Sequence, residues 1–248
     1  MIEKLQYKKK EILLDVENEF EKHRFSTWLS KEPETISWIE ELFKKGDVFY
    51  DIGANIGVYS LLAKALYQDG LKIYSFEPVY HNFAKLCRNV IANNFKKDFY
   101  VYPIAVNEHT QLEAIELAST VSGSAMHAMQ GSVENRYNFK SSFSQGVVSI
   151  SLDDLVLRFG LPMPNHLKID TDGLEEKILK GGKKILKSGG VRSVLVEISP
   201  KDISGKNIAK IMKDNGFISN HRINTQENHS NIRRKKAGNY FKNVIFTK

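Results

Sequence analysis

With 248 residues, 42% hydrophobic and 26% charged, the chain can bury one α/β core without staples, and its single cysteine, Cys87, excludes a disulfide framework. No apolar run approaches ~18 residues, and MIEKLQYKKKEILLD at the start has no apolar h-region, which excludes a transmembrane helix and a signal peptide from the expectations. The net charge of +7 is local: residues 221–248 hold seven Lys or Arg against one acid, which argues against a nucleic-acid-binding surface spread over the whole chain.

Residues 1–34 are charged and weakly patterned, and read as an extension packed on the edge of a domain spanning 35–248. Residues 35–44 are helical, with Ile36, Ile39, Leu42 and Phe43 on one face, and Gly46-Asp47 stops them. Strand and helix then alternate: strand 48–52, helix 57–67, turn 68–70, strand 71–76, helix 79–94 and strand 99–106. Cys87, inside the second of these helices, is expected to be a buried structural thiol in a reducing compartment. Between 107 and 150 the alternation breaks down. Residues 119–146 are rich in Ser, Gly, Asn and Gln and carry His127 and Arg136, the mark of an insertion that serves as a lid or binding loop. Ser151, with Asp154 three residues on, reads as a capping box. Strand 166–169, helix 174–186 (interrupted by Gly181-Gly182), strand 193–198 and helix 203–215 resume the pattern. Strands 217–223 and 240–246 bracket the basic run Arg233-Arg234-Lys235-Lys236 with no helix between them, so they should pair as an antiparallel hairpin at the sheet edge. These elements make an α/β protein with a Rossmann-like, mostly parallel sheet and helices on both faces.

The strongest site signal is Asp51-Ile52-Gly53-Ala54-Asn55-Ile56-Gly57, which closes a strand and opens a helix. Glycines at such a turn let backbone approach a ligand with no Cβ in the way. Glu77-Pro78 follows at the tip of the next strand, where a carboxylate can accept hydrogen bonds from two ribose hydroxyls. Both lie at the carboxyl ends of adjacent strands, where open α/β sheets bind ligands. A dinucleotide would need G-x-G-x-x-G under its pyrophosphate; here the spacing is G-x-x-x-G, with Asn55 in place of the second glycine and no Walker lysine. Asp51 would repel a phosphate and pair with an ammonium. The pattern therefore favours S-adenosylmethionine, which has an ammonium, a sulfonium and a ribose but no phosphate, over NAD or FAD. An incidental structural turn is the remaining alternative.

Lys168-Ile169-Asp170-Thr171-Asp172-Gly173 ends the predicted fourth strand beside the same crevice. Methyl transfer to oxygen is an in-line displacement in which alignment matters most, and a positioned base adds ~10²–10⁴-fold. Asp170 is the first candidate for acceptor binding or base and Asp172 the second, with orienting a metal or capping the following helix as the alternatives. His127 is a further base candidate, although a lone loop histidine is more often simply exposed; His166 reads as core. No Cys/His cluster has zinc spacing, so no metal is expected.

DIGANIGVYS, SFEPV, SLDDLVLRFGLP and LKIDTDGLEEKILKGG, in that order, resemble the FkbM family of class I methyltransferases over roughly residues 35–200. The resemblance implies a seven-stranded sheet, S-adenosylmethionine as donor, and O-methylation of sugar hydroxyls on glycans, glycolipids or natural products. It implies a cofactor set of Asp51, Gly53, Ala54, Asn55, Gly57, Glu77 and Pro78, and a cytoplasmic enzyme with at most peripheral membrane contact. At Thr171-Asp172 the family commonly has a hydrophobic residue and Glu; aspartate keeps the charge with one methylene less reach. The basic run reads as a solvated loop, with an anionic partner (phosphorylated sugar, lipid headgroup or nucleic acid) as the alternative. Two other functions compete. A nucleic-acid methyltransferase could grip phosphates with 233–236, but it lacks an aromatic-interleaved basic patch elsewhere. A non-catalytic binding module is opposed by the intact Asp51, Gly53, Gly57 and Glu77.

Overall fold

The computed structural model describes residues 1–125, 127–129, 141–199, 203–224 and 242–248; Arg136 and the basic run 233–236 lie outside them. Residues 1–34 are richly structured: a hairpin of β1 (Ile2–Tyr7) and β2 (Lys10–Asp15), then α1 (Glu19–Lys31) and the start of α2 (Pro33–Leu42). β3 (Asp47–Ile52), α3 (Val58–Tyr67), β4 (Leu71–Phe76), α4 (Tyr80–Ala92) and β5 (Phe99–Tyr102) follow. Next come β6 (Ala105–Asn107), β7 (Gln111–Leu117), β8 (Ala128–Met129), β9 (Phe143–Ser151), α5 (Leu152–Leu157) and β10 (His166–Ile169). The chain closes with α6 (Glu175–Lys180), α7 (Lys183–Lys187), β11 (Ser193–Ile198), α8 (Ile203–Asp214), β12 (Ile218–Ser219), α9 (His221–Asn224) and β13 (Lys242–Thr247). No helix among the described residues is long and apolar enough to cross a membrane.

Seven strands form the main sheet in the order β12-β13-β11-β10-β3-β4-β5. All pairs are parallel except β13 against β11 and against β12, so the expected antiparallel edge hairpin is present. Period-two alternation along the strands divides the interior in two. Phe49, Ile73, Leu195 and Ile245 join the helices α2 and α3 and the apolar residues Ile12 and Leu14 of β2 on one face. Tyr50, Ile52, Phe76, Leu167, Ile169, Val194 and Val196 meet α5–α8 and the smaller sheet on the other. β3 sits between β4 and β10, where the strand order reverses, which places the predicted site loops around one crevice.

Several expectations are corrected. The strand expected over 99–106 splits in two: β5 ends before Pro103, which has no N–H for the ladder, and β6 joins a separate sheet of order β6-β9-β7-β8. The described residues of the expected insertion belong largely to this small sheet. The strand expected over 217–223 is cut to β12, because Asn220 Oδ1 caps a helical turn by accepting from Ile223 N–H at 3.4 Å. Cys87 is half-buried, not core: the buried stripe of α4 runs through Leu86, Asn89 and Val90 and leaves position 87 at its margin. Ser151 caps α5 as expected, accepting from Asp154 N–H at 3.1 Å. His166 is core as expected, bonded to Asp47 and Ser193 and stacked on Phe43; burial lowers its pKa to about 4.

The helix expected over 174–186 is broken at Gly181-Gly182. A Cβ on Gly181 would lie 2.5 Å from the carbonyl oxygen of Asn107, and one on Gly182 2.9 Å from Leu152 Cδ1. Close packing of α6 on β6 and of α7 on α5 requires these glycines. Gly181→Ala is expected to destabilise the fold by about 1–3 kcal/mol through overpacking, read as a lower midpoint in urea at an unchanged slope.

Candidate active site

A cavity of about 550 Å³ opens at the carboxyl ends of β3, β4 and β10. Its wall includes Gly53, Asn55, Glu77, Pro78, Asp170 and Asp172, so six of the nine predicted site residues converge there. Asp51, Ala54 and Gly57 are not part of the wall. Gly57, at φ +91°, starts α3, and a Cβ there would lie 2.2 Å from Leu86 Cδ1.

The turn after β3 is held by backbone. Gly53 and Ala54 donate to the carbonyl of Phe76 at 3.0 and 3.2 Å, which fixes the turn against the end of β4. Gly53 has φ +77°, and a Cβ there would lie 2.0 Å from the carbonyl oxygen of Asp170. The glycine thus serves the approach of two strand ends as much as that of a ligand. Asn55, also left-handed at φ +51°, aims its N–H at Glu77 Oε2 (2.8 Å), while Val79 N–H donates to Oε1 (2.9 Å). Glu77 is only 4% exposed; burial raises its pKa to about 7 against the pull of these two N–H groups and of Arg24. Each oxygen keeps lone-pair capacity for a further donor.

Asp51 is 1% exposed. Its Oδ2 accepts from Ser60 Oγ at 2.5 Å, and its Oδ1 has no hydrogen-bond partner among the described residues. Burial raises its pKa, opposed mainly by the charge of Lys168. Lys168 is Asp51's register neighbour across the β3–β10 pair. Its buried ammonium donates to Asp170 Oδ2 at 2.9 Å and stands 5.3 Å above the Tyr59 ring. Despite the cost of its own burial, Asp170 is held down to about 2 by Lys168, with help from Lys31 and Arg24. Glu32, buried beside them, pairs with Lys31 at 2.9 Å and accepts from Thr35 Oγ1. Asp172, in the left-handed region at φ +55°, lies next along the wall. Glu175 Oε1 holds this loop by accepting from the N–H groups of Thr171 and Gly173 at 3.0 and 3.1 Å.

His127 corrects its sequence reading. It is 9% exposed and lines the cavity, accepting at Nδ1 from Ala118 N–H (3.2 Å) with Nε2 3.3 Å from Ser124 Oγ. Burial lowers its pKa to about 4, so it is neutral at pH 7.

Among the residues missed from sequence, Phe20, His23, Arg24 and Lys31 line the cavity from α1. A signal for that helix exists in Asn18-x-x-Glu21. Asn18 Oδ1 accepts from the N–H groups of Phe20 and Glu21, and Glu21 Oε2 accepts from Glu17 N–H, a variant of the capping box in which the glutamate reaches one residue before the N-cap. Its neighbours read as merely charged because the apolar stripe of α1 is interrupted by the site residues themselves.

A family profile described as the Methyltransferase FkbM domain matches residues 51–219, more than half of the chain. The hexuronic acid methyltransferase AglP of Haloferax volcanii is 26% identical over 208 residues, covering 79% of each chain. Among solved structures, the methyltransferase FkbM from Methylobacillus flagellatus KT superposes with a TM-score of 0.55 at 14% identity, covering 88% of this chain. The chain spans 48% of that protein, about half its length. Aeropyrum pernix fibrillarin, solved with natively bound S-adenosyl-L-methionine, gives a TM-score of 0.52 at 13% identity, covering 100% of this chain and 82% of that one. At such identities the two structures establish the shared fold.

Proposed function

This chain belongs to the FkbM methyltransferase family, and from that premise we propose that it transfers the methyl group of S-adenosylmethionine to a hydroxyl of a sugar or glycoconjugate. Glu77 carries the proposal: a dry carboxylate, pinned by two backbone N–H groups beside the glycine turn, faces the same cavity as Asp170. The similarity to a hexuronic acid methyltransferase supports the sugar acceptor, and the fold shared with a protein that binds S-adenosyl-L-methionine supports the donor.

The donor set fits that cofactor. Asp51 Oδ1 is a buried acceptor without a partner among the described residues, which an ammonium would satisfy directly or through a water. Glu77 has the lone pairs for the ribose hydroxyls. Gly53, Ala54, Asn55, Gly57 and Pro78 shape the turn around them. When bound, S-adenosylmethionine supplies an electrophilic methyl on a sulfonium leaving group. Asp170, ionised through Lys168, accepts a hydrogen bond from the acceptor hydroxyl and orients it. With a pKa near 2 it is too weak a base to remove that proton before the bond forms; as the new bond forms the hydroxyl becomes strongly acidic, and its proton passes to the Asp170 carboxylate that aligned it. Asp172, beside it, gives the acceptor a second carboxylate contact.

Calorimetric titration with S-adenosylhomocysteine tests the cofactor half. Asp51→Ala is expected to weaken binding about 10- to 100-fold, the worth of a hydrogen bond to a charged group. Unchanged affinity in both Asp51→Ala and Glu77→Ala would sink the cofactor assignment. For the acceptor half, surface glycans of the host with and without the protein should differ by one methyl group in mass spectrometry; identical spectra would count against a glycan acceptor.

A further inference from the structure

The wall contributed by α1 is cationic where the opposite wall is acidic. Arg24 is fixed in place: its Nε donates to the carbonyl of Gly123 at 2.7 Å. That loop is in turn anchored by Asn18 Nδ2 donating to Ser122 O (3.1 Å) and by Gly123 N–H donating to Asn82 Oδ1 (2.8 Å). With Nε committed to a carbonyl, the two Nη groups remain as a forked pair of donors. No carboxylate of the described residues lies within ion-pair distance of them, although Glu77 and Asp170 both feel the charge. Lys31, two turns further along the same helix, also lines the cavity, with its ammonium pairing with Glu32. A guanidinium held by one edge, with its fork free beside a partly dry cavity, matches planar two-point recognition of a carboxylate.

We propose that Arg24, supported by Lys31, forms a carboxylate-binding subsite of the cavity. The proposal rests on the methyl-transfer reading, within which two carboxylates could meet the fork: the amino-acid tail of the cofactor, or the carboxylate of a uronic-acid acceptor. Binding to wild type and to Arg24→Gln separates them with two ligand pairs. One pair is S-adenosylhomocysteine and 5′-methylthioadenosine, which lacks the amino-acid tail. The other is a methyl glucuronoside and a methyl glucoside, titrated with S-adenosylhomocysteine present. Wild type is expected to prefer the carboxylate-bearing member of at least one pair by about tenfold or more, the worth of a charge-assisted pair. Arg24→Gln should lower that preference about tenfold, which erases it in the sugar pair and leaves in the nucleoside pair the share due to the ammonium near Asp51, while the carboxylate-free member stays within about twofold. Loss in the nucleoside pair assigns the subsite to the cofactor tail, and loss in the sugar pair assigns it to the acceptor. Arg24→Lys, which keeps the charge without the fork, should recover part of the preference. Lys31→Gln should lower it about threefold, and carries the test if Arg24→Gln loses the wild-type circular dichroism spectrum. No preference in wild type for either carboxylate, or a preference undiminished in Arg24→Gln, overturns the subsite. A wild-type protein that binds neither nucleoside would instead overturn the methyl-transfer reading.

Discussion

Lys168→Met is expected to cost the fold about 3–5 kcal/mol at pH 7.5, the largest effect of any single substitution in the site. Lys168 is 2% exposed and is the positive centre of a buried acidic group: Asp170 at 2.9 Å, Asp51 beside it in the sheet register, and Glu32 within electrostatic reach. Methionine matches its length and leaves no void, so the loss would come from carboxylates left without their counter-charge. The pH dependence gives the sign. In the wild type Asp170 has a depressed pKa, so its stabilising contribution is present above about 3.8 and is lost as pH falls through about 2. In the variant the carboxyl pKa values rise. The deficit against wild type should therefore shrink as pH falls from 7.5 toward 4.5, where these groups take up protons. Urea denaturation at the two pH values measures it. Equal midpoints for variant and wild type at pH 7.5 would refute the role assigned to Lys168.

Glu77→Gln is expected to weaken S-adenosylhomocysteine about 30- to 100-fold at pH 8 while leaving the ligand-free protein about as stable as before. Two opposed effects meet in that residue. Its pKa is raised from 4.5 to about 7, so its contribution to stability is present below about 4.5 and is lost as pH rises through 7. Keeping the carboxylate ionised in the fold at pH 8 thus costs on the order of 3 kcal/mol. Glutamine removes that cost, but its amide NH₂ cannot accept from whichever of Asn55 and Val79 it faces, and an unsatisfied N–H costs about 1–3 kcal/mol. Ribose hydroxyls would donate to the ionised form, so wild-type affinity should fall about fivefold from pH 7 to pH 6 and level off above pH 8. The variant should show no such slope. Titrations between pH 6 and 8.5 decide it: a flat wild-type profile would separate Glu77 from the ribose.

These predictions draw on features of unequal legibility. The strand, turn and helix from Asp47 to Tyr67, the acid at the tip of β4 and the KIDTDG end of β10 were readable locally. Each depends on alternation, a glycine needing φ > 0 or a carboxylate ending a strand, all of which are short-range properties. Boundaries failed where tertiary partners took over. Asn220 caps a turn within a predicted strand, and the segment after Pro103 leaves one sheet for another. His127, exposed by every local criterion, is buried because the second sheet folds its loop against α4.

By itself the sequence determined the strand–helix order of the main sheet, the turn at Gly53–Gly57 and the six residues from it, from the end of β4 and from the later motif that line the cavity. Only the tertiary structure decided the electrostatics. Lys168 faces Asp51 because β10 and β3 pair in one register across more than a hundred residues of chain. Glu32, Lys31 and Arg24 join them because α1 and α2 dock at the same sheet end. Charge coupling depends on distances in space and on burial, and a periodic pattern along the chain encodes neither.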